Sequence, residues 1–245
     1  MIISRFVVPS SRTGTAAAGL HGTFVPDDTG NSVEHSSPGR IHDNQRSIMT
    51  DSIFAGPASP ALRVSIVFES FFGNTHAVAE AIADGMREHL PIVPAPVRVS
   101  EALSSAACDV LVLGAPTHAH SLSRSSSRRE AEAWAKDVGK HLTLERESLG
   151  TGIREWLQTE PTPAWGYASF DTRVDMPKIF TGSAAATISR QLRKRGIREL
   201  VGPESFLVDK DSRLIPGELE RARAWGAALA RAVASVLPAG GREPR

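Results

Sequence analysis

Two hydroxyls and a glycine lie close together in Ser70-Phe71-Phe72-Gly73-Asn74-Thr75, the stretch of this chain best suited to chemistry. Ser70 and Thr75 can donate to the oxygens of an anion, Gly73 lets the backbone come close, and no carboxylate follows Glu69 in the loop to repel negative charge. An apolar β-type run, Val64 to Phe68, leads into the loop, and a helical pattern follows at Thr75. Strand, short loop and helix in that order make an anion site, because the unpaired N–H groups of a helix's first turn point into the loop. Whose phosphate it would be is left open. The Walker pattern needs Gly, four residues, then Gly-Lys-Ser/Thr, and the loop has no Lys. The dinucleotide fingerprint needs three glycines where only Gly73 is present. No Ser-His-Asp, HExxH or paired-carboxylate signature supports a hydrolase.

The elements that must position this loop follow in order. Val64–Phe68 suits a central strand covered on both faces. The next helix is expected from Thr75 to about His89, with Val78, Ile82, Met86 and Leu90 buried, Glu80, Asp84, Arg87 and Glu88 wet, and His76 facing solvent. Val93–Val99 carries Pro94 and Pro96 and is predicted as an edge strand. Val110–Leu113 is a second buried strand ending at Gly114-Ala-Pro-Thr-His118, and Cys108 before it reads as a buried structural thiol. Ser121–Arg129 is Ser/Arg-rich and reads as an exposed, mobile loop. Short helices are expected over Arg129–Lys140 and Gly150–Gln158, the latter ended by Pro161 and Pro163.

Trp165–Phe170 is the fourth strand, with Ser169 to Arg173 as its carboxyl-end loop. Thr181-Gly-Ser183 can cap a helix over Ala184–Arg195. Leu200–Val208 is the last strand, broken at Gly202-Pro203, and a helix from near Gly217 to Leu237 closes the domain, with Leu219, Ala222, Gly226, Leu229, Val233 and Val236 on one face. Strands alternating with helices predict a doubly wound α/β domain of five parallel strands over residues 61–238.

The chain has 245 residues, 41% of them hydrophobic and 22% charged, the composition of an ordinary globular protein. A net charge of +1 argues against a nucleic-acid binder that relies on bulk electrostatics. One cysteine excludes an internal disulfide framework and any multi-cysteine metal or iron–sulfur site, and no metal site is read. No apolar run has the roughly 18 residues of a membrane span, so a cytoplasmic protein is expected. Residues 1–60 are rich in Ser, Thr, Gly and Pro without apolar periodicity and are expected to be disordered, with translation from Met49 as an alternative; residues 239–245 are expected to fray.

The opening stretch resembles the flavodoxin signature through Ile66, Val67, Phe68, Ser70, Gly73, Thr75, Ala79 and Ile82. That resemblance spans about Arg63 to Leu237 and implies a flavodoxin-like sheet of order 2-1-3-4-5 and FMN as cofactor. It implies that Ser70, Phe71, Phe72, Gly73, Asn74 and Thr75 hold the phosphate. Pro116, Thr117 and His118 would line one side of the flavin ring, and Ser169, Phe170 and Asp171 the other. Here the fourth-strand loop offers Phe170 and Arg173 where flavodoxins often place Tyr, and the chain lacks an acidic face. The resemblance implies electron transfer or redox chemistry with an unidentified partner. The alternatives are an FMN-dependent quinone or protoporphyrinogen oxidoreductase, and a flavodoxin-fold binding module without FMN. No catalytic side chain is assigned.

Overall fold

The sheet begins with β1, Val64–Phe68, in which all but Ser65 are buried. A computed structural model describes residues 62–102, 108–118, 120–158 and 164–236. The expectations for residues 1–60, for a start at Met49, for Pro161 and Pro163 and for the tail 239–245 lie outside them. On one side β1 pairs in parallel with β2, Val97–Arg98, and on the other with β3, Val110–Pro116. The edge strand is only two residues long because Pro94 and Pro96 lack the N–H a ladder needs. β4, Gly166–Val174, pairs in parallel along all of β3. Its far edge is shared by two short parallel strands, β5, Arg198–Glu199, and β6, Glu204–Val208. Of the predicted last strand, Leu200–Val208, the part after Gly202-Pro203 forms β6, while β5 precedes Leu200, and the sheet has six strands in the order β2-β1-β3-β4, then β5 and β6 together.

Helices cover both faces. α1, Asn74–Arg87, and α6, Glu218–Val236, lie on one face, where Val78, Ile82 and Met86 pack with Val112, Phe170, Phe206, Leu229 and Val233. Leu219, expected on the buried face of α6, is 41% exposed, and in that first turn the neighbouring Glu218 is buried instead, its Oε2 accepting from Leu207 N of β6 at 2.8 Å. On the other face α3, Ile153–Trp156, and α5, Ala184–Lys194, bring Ile153, Ile188 and Leu192 against Val67, Leu113 and Tyr167. Cys108 is buried here, as expected. Gly114 leaves room for the Phe170 ring of the next strand; a Cβ there would stand 2.0 Å from its Cζ. Among the described residues no helix is long and apolar enough to cross a membrane.

The Ser/Arg-rich run expected to be a mobile loop is the start of α2, Ser125–Lys136, followed by a 3-10 turn at Val138–Lys140. Polar contacts hold it where apolar periodicity is lacking. Arg128 is only 8% exposed and donates to Glu155 Oε1 at 2.9 Å and to Ser123 Oγ at 3.2 Å. Ser123, fully buried, donates in turn to Glu69 Oε1.

Candidate functional site

The carboxyl end of β1 breaks into the loop at Glu69, and Ser70 folds back so that its Oγ accepts from Gly73 N at 3.2 Å. Gly73 has φ of 93°, a left-handed turn that only glycine makes without strain, and α1 starts at the next residue. No side chain caps this helix. The N–H groups of Asn74, Thr75 and His76 therefore face out of the helix end with its positive dipole, as an anion site requires. Thr75 is buried, its hydroxyl 2.8 Å from that of Thr172 on β4, so one of the two donates to the other. Asn74 turns its amide to Ser212 O at 2.7 Å, which ties the loop to the turn after β6. Phe71 is buried and Phe72 half-buried.

Beyond this loop a cleft of about 260 Å³ opens at the carboxyl ends of β1, β3 and β4, with Ser70 to Phe72, Asn74, Thr75 and Pro116 to His118 in its walls. The point between β1 and β3 is where the strand order reverses, which is where open α/β sheets bind ligands. Phe71 and His118 meet edge to face at 5.0 Å, and His118 lies 6.4 Å from Trp134 of α2. Burial holds the His118 imidazole below its ordinary pKa, with the Glu130 charge opposing only in part, so the ring is neutral at pH 7. Thr117 lines the cleft while its Oγ1 accepts from Ala184 N at 2.8 Å.

The structure does not bring Ser169, Phe170 and Asp171 to this cleft. All three are fully buried inside β4, which continues to Val174 instead of ending at Phe170. Ser169 Oγ donates to Ala185 O at 3.1 Å, and Phe170 packs edge-on to Phe206 at 6.3 Å and Trp225 at 6.4 Å. Asp171 Oδ2 accepts from Ser183 Oγ at 2.6 Å and from Ala185 N at 2.9 Å. The expected loop stopped the strand at a carboxylate, yet this carboxylate is a helix cap and so can be buried. The β4 residues that reach the cleft are the next three, Thr172, Arg173 and Val174. Arg173 directs Nη1 at Met176 O, 2.5 Å away, and at Val174 O. Trp134 supplies the aromatic wall that the fourth-strand loop lacks. No local sequence signal marked it, because its helix was read from Arg129 without a partner to face.

Two carboxylates border the loop. Glu69, 3% exposed, accepts from Ser123 Oγ and, through Oε2, from Ile153 N at 2.9 Å. Burial raises its pKa against the lowering effect of these bonds. The second arrives from far along the chain. Glu145 donates its N–H to Phe71 O at 2.8 Å and its carboxyl carbon comes within 4.0 Å of where a Cβ on Gly73 would stand, a carboxylate neighbour that the loop's own residues do not supply. Burial alone would raise the Glu145 carboxyl, but interactions with Ser70, His76 and Arg98 outweigh it and hold the group below its ordinary value.

No family model and no curated protein sequence matches the chain. Solved structures do resemble it. A flavodoxin from the domain Archaea shares 16% identity at a TM-score of 0.46, over 71% of this chain and 99% of its own. Oxidised flavodoxin 2 from Bacillus cereus shares 15% at 0.46, over 69% of this chain and 98% of its own. Rubredoxin oxygen:oxidoreductase from the anaerobe Desulfovibrio gigas shares 12% at 0.46, over 72% of this chain but only 37% of its own. The observed strand order, not these distant likenesses, decides the architecture. The fold is flavodoxin-like.

Proposed function

We propose that the protein binds FMN at this edge of the sheet, its phosphate against the first turn of α1 and its ring in the cleft, and that it serves in redox chemistry. The observation that carries this reading is the uncapped N-terminus of α1 behind a left-handed glycine, at the point where the strand order reverses. The residues fit the group. Free amides and the Ser70 hydroxyl, whose oxygen already accepts from Gly73, leave donors for phosphate oxygens. Phe72, His118 and Trp134 offer flat, apolar surface for a ring.

Bound flavin would supply the electron and hydride chemistry, so the protein's own task is to hold and surround it. Phe71, Pro116, His118 and Trp134 would exclude water from the ring, and neutral His118 keeps one ring nitrogen able to accept a proton. Arg173 would set positive charge beside the cofactor. Among the described residues the cleft's walls carry this cation and no carboxylate. That balance favours an FMN-dependent oxidoreductase acting on a small molecule such as a quinone over a carrier that docks protein partners through an acidic face. Purified protein is expected to be yellow, with the visible absorbance of oxidised flavin, and to turn over NAD(P)H with a quinone. Flavin absorbance without turnover would leave the carrier. A colourless protein that takes up no added FMN would overturn both and leave a binding module of this fold.

A further inference from the structure

Between the first turn of α1 and the edge strand β2, an imidazole, a guanidinium and a carboxylate from distant parts of the chain converge. Glu145 Oε1 lies 2.8 Å from His76 Nδ1 and 2.5 Å from Arg98 Nη2. The carboxylate is only 18% exposed and the guanidinium side chain 15%. Glu145 Cδ stands 4.0 Å from the place a Cβ on Gly73 would occupy, beside the turn that leads into the helix. Its Oε2 is buried with no partner of hydrogen-bond length among the described residues.

The imidazole and the guanidinium are held independently of that carboxylate. His76 belongs to α1 and stacks on Phe68 at 4.6 Å, and Arg98 belongs to β2 with its guanidinium carbon 5.3 Å from the centre of the same ring. Glu145 sits outside any helix or strand, and the bond from its N–H to Phe71 O is its backbone tie to the loop. A carboxylate on irregular chain, facing donors on regular elements, is the member of the cluster that can leave. Its position is one an anion would choose, at the positive end of an uncapped helix, with a hydroxyl, an imidazole and a guanidinium around it.

We propose that the Arg98 guanidinium and the His76 imidazole are the donor half of the phosphate site, and that Glu145 is an internal anion that occupies their donors until a phosphate displaces it. This rests on the loop being a phosphate site. Phosphate and carboxylate then compete for the same donors, and the affinity of the protein is set by that exchange rather than by the loop alone. Riboflavin, which has no phosphate, does not take part in it.

Glu145→Gln removes the charge and keeps the shape; Glu145→Ala serves as a second variant. In the full chain, both are expected to bind FMN on the order of tenfold more tightly than the parent while riboflavin binding is unchanged. Adding Arg98→Gln to Glu145→Gln is expected to abolish the gain, and Arg98→Lys to retain most of it. Inorganic phosphate is expected to raise the Tm of Glu145→Gln more than that of the parent. Unchanged or weaker FMN and phosphate binding in both Glu145 variants would overturn the proposal, as would an equal gain for riboflavin. If no form binds FMN but phosphate still protects Glu145→Gln more than the parent, the flavin reading fails and the internal anion stands. If the parent and Glu145→Gln bind FMN equally, the flavin reading stands and the internal anion falls.

Discussion

Two helices begin at the carboxyl edge of the same sheet, and their first turns are treated in opposite ways. At α5 each early amide has a side-chain acceptor: Ala184 N donates to Thr117 Oγ1, Ala185 N to Asp171 Oδ2 and Ala186 N to Ser183 Oγ. At α1 the cap is Gly73 and no side chain closes the turn. Equal dipoles therefore face the cleft region with unequal availability. The first has been satisfied by the protein, including a buried carboxylate that neutralises it, and the second is left for something from outside. A helix start is a binding site only where the chain declines to cap it.

The contrast can be broken most forcefully at Gly73. Gly73→Val puts a β-branched residue at φ of 93° and closes the backbone's approach. FMN affinity is expected to fall by about a hundredfold or more, beyond the roughly 1–2 kcal/mol of conformational strain, as read by flavin-fluorescence titration. Asp171→Ala attacks the other helix. It strips a buried cap from Ser183 Oγ and Ala185 N, and is expected to cost about 2–3 kcal/mol in urea denaturation while FMN affinity stays within about twofold. An equal loss of FMN binding in that variant would mean that α5 also serves the ligand. Smaller effects are expected of Ser70→Ala and Thr75→Ala, each weakening FMN binding by about 1–2 kcal/mol. Untouched affinity in all three loop variants would displace the phosphate from this loop.

The smallest expected effect concerns the cleft wall. Because burial lowers the His118 pKa from 6.5, the folded state prefers the neutral ring and the unfolded state protonates first on acidification. Stability from this group is complete above about pH 6.5 and is lost as pH falls below that value toward the folded pKa. His118→Phe is expected to flatten the stability curve in that window, measured by urea denaturation at stepped pH. A curve of unchanged slope would show that the ring is not desolvated against Phe71 and Trp134.

The sheet was legible in the sequence because its signals are local. Continuous apolar runs marked β1 and β3, the prolines marked the edge at β2, and Gly202-Pro203 marked the break just before β6, while the two-residue β5 ahead of Leu200 had no apolar run to mark it. Ser183 was equally readable as a cap, and it accepts from Ala186 N. The site was legible only in its first loop, where strand, glycine and helix adjoin in sequence. Its remaining walls depend on partners that lie far along the chain. Asp171 looked like the end of a strand until Ser183 and Ala185 supplied the donors that let β4 run on to Val174. Trp134 and Glu145 had no neighbour in sequence to give them a role, and the Ser/Arg run became ordered only through Arg128, Glu155 and Glu69.

Glu69 has a bearing on how far this protein could be trimmed. The connection between β3 and β4 adds no strand to the sheet, yet excising it would uncover the face that α3 covers with Ile153. Both partners of the Glu69 carboxyl, the Ser123 hydroxyl and the Ile153 amide, lie in that connection. A shortened chain would strand an acid next to the loop it was meant to preserve, and would have to replace Glu69 with an apolar side chain before anything else was redesigned.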